Sequence, residues 1–133
     1  MTPFRSTLSR LRSPLAALLL GASLPLAALA HGDMKAPHGG AVAEAPSGHR
    51  VELVREGGQL AVYLTDHSGK PVDAQGAQAE VTLLSGASKS TAQLAPAGGN
   101  KLSGAANATA GAKAVLRLTM PGKAAEQVRL TLK

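Results

Sequence analysis

Cysteine is absent from the 133 residues, so the chain has no disulfide framework, no thiolate metal site and no cysteine nucleophile. Tryptophan is absent too, and Phe4 and Tyr63 are the only phenylalanine and tyrosine. The core therefore has to be built from Val and Leu, and there is no aromatic platform on which nucleic-acid bases could stack. Also missing are a nucleophile with a base at recognisable spacing and a Gly-rich loop between a strand and a helix, which removes familiar hydrolase and nucleotide chemistry. Enzymatic activity is not expected.

The N-terminus has Arg5, Arg10 and Arg12 and no acidic residue, then an apolar stretch from Leu15 to Leu29 ending in Ala28-Leu29-Ala30. This order matches a secretory signal peptide with a small-x-small cleavage site. The stretch is interrupted by Gly21, Ser23 and Pro25 and is shorter than the roughly 20 residues of a spanning helix. With no Cys after it, a lipid anchor is excluded. The expectation is a cleaved leader over residues 1–30, a periplasmic product beginning at His31, and no membrane insertion after cleavage.

Cleavage changes the charge. The formal net charge of +6 includes the three leader arginines, and from His31 onward eleven Lys and Arg stand against eight Asp and Glu. These charges are scattered from Lys35 to Lys133 with no basic run, so nucleic-acid binding is not expected.

Residues 31–47, HGDMKAPHGGAVAEAPS, show no sustained period and read as a Gly/Pro/His-rich arm. Residues 48–133 read as the domain proper. Short strand-like segments recur there between turn residues. They are His49 to Val54, Gln59 to Thr65, Ala79 to Leu84, Ala92 to Leu94, Lys101 to Leu102, Lys113 to Met120 and Gln127 to Leu132. Glu56-Gly57-Gly58 resembles a hairpin connection. Val128, Leu130 and Leu132 alternate with Arg129, Thr131 and Lys133, the pattern of a strand with one buried face. The segment from Ala95 to Ala112 reads as a long, mobile connection. About seven strands without an amphipathic helix predict an all-β fold, a small antiparallel β-sandwich.

All four histidines, His31, His38, His49 and His67, precede residue 68, and the remaining sixty-six residues have none. Neutral imidazole ligates copper, zinc and nickel, and a thioether adds preference for Cu(I). The candidate metal ligands are therefore His31, His38, His49, His67 and Met34. Met120 precedes Pro121-Gly122 at a strand end and reads as packing. After cleavage, the α-amino group and Nδ1 of His31 can chelate one metal together, and one further histidine completes a site suited to Cu(II). Asp66, beside His67, is either an orienting carboxylate or simply a turn residue. Copper is the expected metal, with zinc or another divalent ion as alternatives.

Pro37-His38-Gly39-Gly40, then Gly48-His49-Arg50-Val51-Glu52-Leu53-Val54, then Leu60 through Val72 (LAVYLTDHSGKPV) form a pattern with a known counterpart. It resembles the small periplasmic domain found alone, or near the N-terminus of periplasmic adaptor subunits of heavy-metal efflux pumps. The resemblance covers residues 36 to 86. It implies heavy-metal handling, with His38 and His49 as motif histidines and His67 following. DHSGKPVDAQGAQAEVTLL is also similar to the D-x-x-G-x-P-V…A-x-V-x-L pattern of transthyretin-like and immunoglobulin-like domains, where it is structural. A mature N-terminal His is similar to that of periplasmic copper-resistance carriers and of copper oxygenases with a histidine brace.

The function expected is a periplasmic copper buffer or carrier serving resistance or efflux, with an efflux component as a possible partner. The alternatives are a metal-free immunoglobulin-like module docking on an envelope partner and a copper oxidase using His31.

Overall fold

The structure is a computed structural model, and it describes residues 34–133. The leader and cleavage site expected from the sequence, and His31, lie outside the described residues. Alternating Val and Leu against polar residues gives eight antiparallel strands. These are β1 (Ala41–Glu44), β2 (Arg50–Glu56), β3 (Gln59–Thr65), β4 (Gln78–Ser85), β5 (Ser88–Pro96), β6 (Lys101–Ala105), β7 (Lys113–Thr119) and β8 (Glu126–Thr131).

Their order is β1-β2-β3-β6-β5-β4-β7-β8. The two end strands, β1 and β8, pack beside each other without a hydrogen-bonded ladder, so the sheet is nearly closed. The result is all-β and antiparallel, but it is barrel-like where a two-layer sandwich was expected. The reason lies in β5. Its residues up to Leu94 pair with β4, and then Ala95 and Pro96 pair with Ser103 and Leu102 of β6. One strand thus carries the hydrogen bonding from one half of the sheet into the other. The supposed connection from Ala95 to Ala112 therefore contains the end of β5 and all of β6.

Part of the supposed arm is also a strand. β1 pairs with β2, Ala41 opposite Leu53 and Glu44 opposite Arg50. Four residues, Ala-Val-Ala-Glu, show too little alternation to be read alone; the partner strand supplies the order.

Inward side chains of every strand meet in one aliphatic core, with Leu53, Leu60, Leu64, Leu102, Leu116 and Leu118 among the most deeply buried. Met120 packs partly buried against it. β2 and β3 form a hairpin through Gly57-Gly58, with Glu56 opposite Gln59. Gly57 takes φ +60°, the left-handed conformation that such two-residue loops require.

Candidate metal-binding site

The PHGG element is a clamp on β2. Gly39 N–H donates to the Ala36 carbonyl at 2.9 Å, closing a turn with Pro37 at its second position. Gly39 itself has φ +71°. At Gly40 the backbone runs against β2 so closely that a Cβ would lie 2.5 Å from the Leu53 carbonyl oxygen and 2.8 Å from a Val54 methyl. Only glycine fits there.

This approach brings three donors onto Glu52. The amides of His38 and Gly40 donate to Oε1 at 2.8 and 3.0 Å, and His38 Nδ1 lies 2.9 Å from Oε2. Glu52 is the only charged residue buried among the described residues, its side chain 6% exposed. A buried carboxylate needs such partners, and as an acceptor at both oxygens it makes Nδ1 of His38 the protonated nitrogen. The lone pair then resides on Nε2. The ring keeps 42% of its side-chain exposure and borders a groove of about 650 Å³, with Lys35, Arg50, Tyr63 and Ser68 along the same walls.

The other face of His38 is stacked on Tyr63, ring centroids 3.6 Å apart and planes 7° from parallel. Tyr63 lies opposite Glu52 on β3 and opposite Lys101 on β6, so the ladder itself sets the stack. Its hydroxyl donates to Glu56 Oε1 at 2.6 Å, and Lys101 Nζ donates to Glu56 Oε2 at 2.8 Å. The Lys101 ammonium, with the Tyr63 hydroxyl, holds the Glu56 carboxyl below its usual range. In turn the bond to Glu56 raises the pKa of Tyr63, and the same carboxylate raises that of Lys101.

His67 has an analogous partner. Its Nδ1 lies 3.1 Å from Glu44 Oε2, an oxygen that also receives Arg50 Nε at 3.0 Å. The Arg50 bond, ahead of that from His67, lowers the Glu44 pKa. The His67 side chain is 78% exposed and shares a shallow depression with Met34, Glu44 and Arg50. Asp66 is not its hydrogen-bond partner. Oδ1 of Asp66 accepts from the Ser68 amide and hydroxyl and the Lys70 amide, bonds that lower its pKa, led by the Ser68 hydroxyl. Its role is the turn. His49 is turned elsewhere, with Nδ1 2.8 Å from Ser47 Oγ, and Ser47 is held by Glu126 through its amide and hydroxyl, each at 2.7 Å.

The three described histidines thus occupy three separate settings. His38 and His67 each have a carboxylate at Nδ1, and His49 has a hydroxyl. No three His, Cys, Asp or Glu residues among the described residues converge as a metal cage. The groove and the depression share Arg50, and the turn after His67 lends Ser68 and Gly69 to the groove of His38. The orienting carboxylates, Glu44 and Glu52, escape the sequence, because each comes from a strand well removed from its histidine. The one available signal is a Glu in β2 at a position flanked by Val51 and Leu53. No protein-family profile, characterised protein or solved structure matches the chain.

Proposed function

We propose that the protein binds copper in the periplasm and acts as a buffer or carrier of the ion, with zinc or another divalent ion as a weaker ligand. The observation that carries this reading is the His38–Glu52 pair. A carboxylate on Nδ1 fixes the ring and leaves Nε2 basic, as in metal-ligating histidines generally. His67 on Glu44 repeats the arrangement.

A single imidazole is not a site, and the further ligands come from His31, with His67 and Met34 as additional donors. Lys35 borders the His38 groove, and the four-residue span back to His31 reaches up to about 14 Å, enough to bring the α-amino group and imidazole there. Copper bound in this way is cargo, and no reaction is assigned to it. The export signal, the efflux context and the immunoglobulin-like or transthyretin-like affinity rest on the sequence patterns given above.

Titrating the processed protein with Cu(I), Cu(II) and Zn(II) tests the reading. Submicromolar copper affinity, at least tenfold weaker in His38→Ala and after adding one residue ahead of His31, is the expected result. Absence of submicromolar binding by all three ions would refute it.

A further inference from the structure

The outward face of β5, β4, β7 and β8 carries a charge pattern unlike the rest of the molecule. Ladder register places Lys89 and Lys113 on either side of Leu84, Arg117 opposite Glu80, and Arg129 opposite Val115. Four cations therefore share this face with one carboxylate. Glu80 Oε2 accepts from Gln93 at 2.8 Å, and none of the four cations takes part in an ion pair among the described residues.

From His31 onward the chain carries eleven cations and eight carboxylates, so removing this face leaves seven of each. The whole positive excess of that segment sits on this outward face, since Glu126 of β8 shares the register of inward Val128 and Leu130 and is bonded to Ser47. With strands about 4.8 Å apart, the cations are spread over a sheet face about 14 Å wide. That is a distributed field and not a pocket for one anion.

Leu84 supplies the second observation. It is 41% exposed, the only large hydrophobic residue so exposed among the described residues, and it lies just before the Gly86-Ala87 turn that joins β4 to β5. An apolar tip between two lysines suits a lipid surface. The leucine enters the headgroup boundary while the flexible ammonium groups stay at the phosphate level.

We infer that this face docks the protein on a bilayer surface rich in anionic phospholipid. Distributed Lys and Arg are drawn to such a surface within a Debye length, without a preformed pocket. The inference does not depend on metal binding and uses none of the proposed ligands, although Arg129 also borders the depression of His67 and Met34.

Sedimentation with phosphatidylcholine vesicles, with and without phosphatidylglycerol, provides the test. The purified protein is compared with the quadruple variant K89Q/K113Q/R117Q/R129Q and with Leu84→Ser. All share one N-terminus, so any contribution from that segment cancels. Expected results are binding only to phosphatidylglycerol vesicles, weakened more than tenfold in the quadruple variant and several-fold in Leu84→Ser. Binding should also fall steeply between about 0.05 and 0.5 M salt. If the quadruple variant does not fold, the doubles K89Q/K113Q and R117Q/R129Q replace it, each weakening binding at least threefold. Equal binding by the variants, equal binding to pure phosphatidylcholine, or no binding to either vesicle would overturn the inference. Binding to soluble polyglutamate without binding to vesicles would also overturn it, in favour of an acidic protein partner.

Discussion

The ring of His38 lies flat on that of Tyr63, 3.6 Å between centroids, although one belongs to the N-terminal lead-in and the other to β3. The stack and the Glu52 bonds hold the imidazole from two directions, by its face and by Nδ1. Nε2 alone is left for a ligand. Preorganisation of this kind lowers the ordering cost of binding.

Replacing Glu52 by Gln separates the clamp from the ligand. The amide oxygen can still accept from the His38 and Gly40 amides, but the acceptor facing Nδ1 is lost, and a buried carboxylate becomes neutral. The expected cost is about 1–3 kcal/mol of stability, read by denaturant unfolding. Copper affinity should fall roughly 10- to 100-fold, as for an orienting carboxylate removed from behind a ligating histidine. Unchanged affinity would mean that His38 is not a ligand.

Gly40→Ala should destabilise the fold by about 1–3 kcal/mol, because the new methyl meets the Leu53 carbonyl and the Val54 side chain. Gly58→Ala is the control, since a Cβ there meets nothing within 4 Å. Paired thermal melts distinguish the two. Equal melting temperatures would show that the lead-in does not press on β2.

The Glu56 cluster sets a pH dependence. Glu56 has a lowered pKa in the folded state, so its stabilisation is present above the carboxyl's ordinary value of 4.5 and is lost as the pH falls through the folded value. Tyr63 and Lys101 are raised, so their stabilisation holds below their ordinary values of 10.0 and 10.5 and is lost as the pH rises through the folded ones. Melting temperature should decline on both flanks, and Glu56→Gln should flatten both declines. Tyr63 is the only tyrosine, so tyrosinate absorbance reports its ionisation without ambiguity. Its midpoint should drop towards about 10 in Glu56→Gln. A midpoint that stays put would exclude the hydrogen bond as the cause.

Strand positions were largely legible because Val and Leu alternation is a local signal. Gln59 to Thr65 emerges with the bounds expected, and Lys113 to Met120 within one residue at its end. Closure of the sheet was not legible, because it depends on Ala95 and Pro96 changing partner, and nothing in an Ala- and Pro-containing segment announces that. At the site, PHGG was visible as a motif, but its physical content was not. Gly40 is required by a carbonyl on another strand, and Glu52 is identified as a partner only once β1 and the turn before it lie against β2. The sequence showed that histidines cluster early; the fold shows that His38, His49 and His67 disperse into three settings.

The stack on Tyr63 also supplies an optical reporter for the proposed copper binding at His38. Metal–nitrogen bonds to imidazole are about 2 Å long, so a Cu(II) ion on Nε2 of His38 would lie within several ångströms of the only tyrosine. An open-shell ion that close to an excited phenol quenches it by energy or electron transfer, whereas closed-shell Zn(II) has no such pathway. Titration with Cu(II) should therefore extinguish most of the Tyr63 emission with the same midpoint as binding, and Zn(II) should leave it largely intact. His38→Ala should abolish the quenching, while His49→Ala should preserve it, since His49 is turned to Ser47. Copper binding without quenching would place the ion away from His38 and leave His67 and Met34 as the donors to examine.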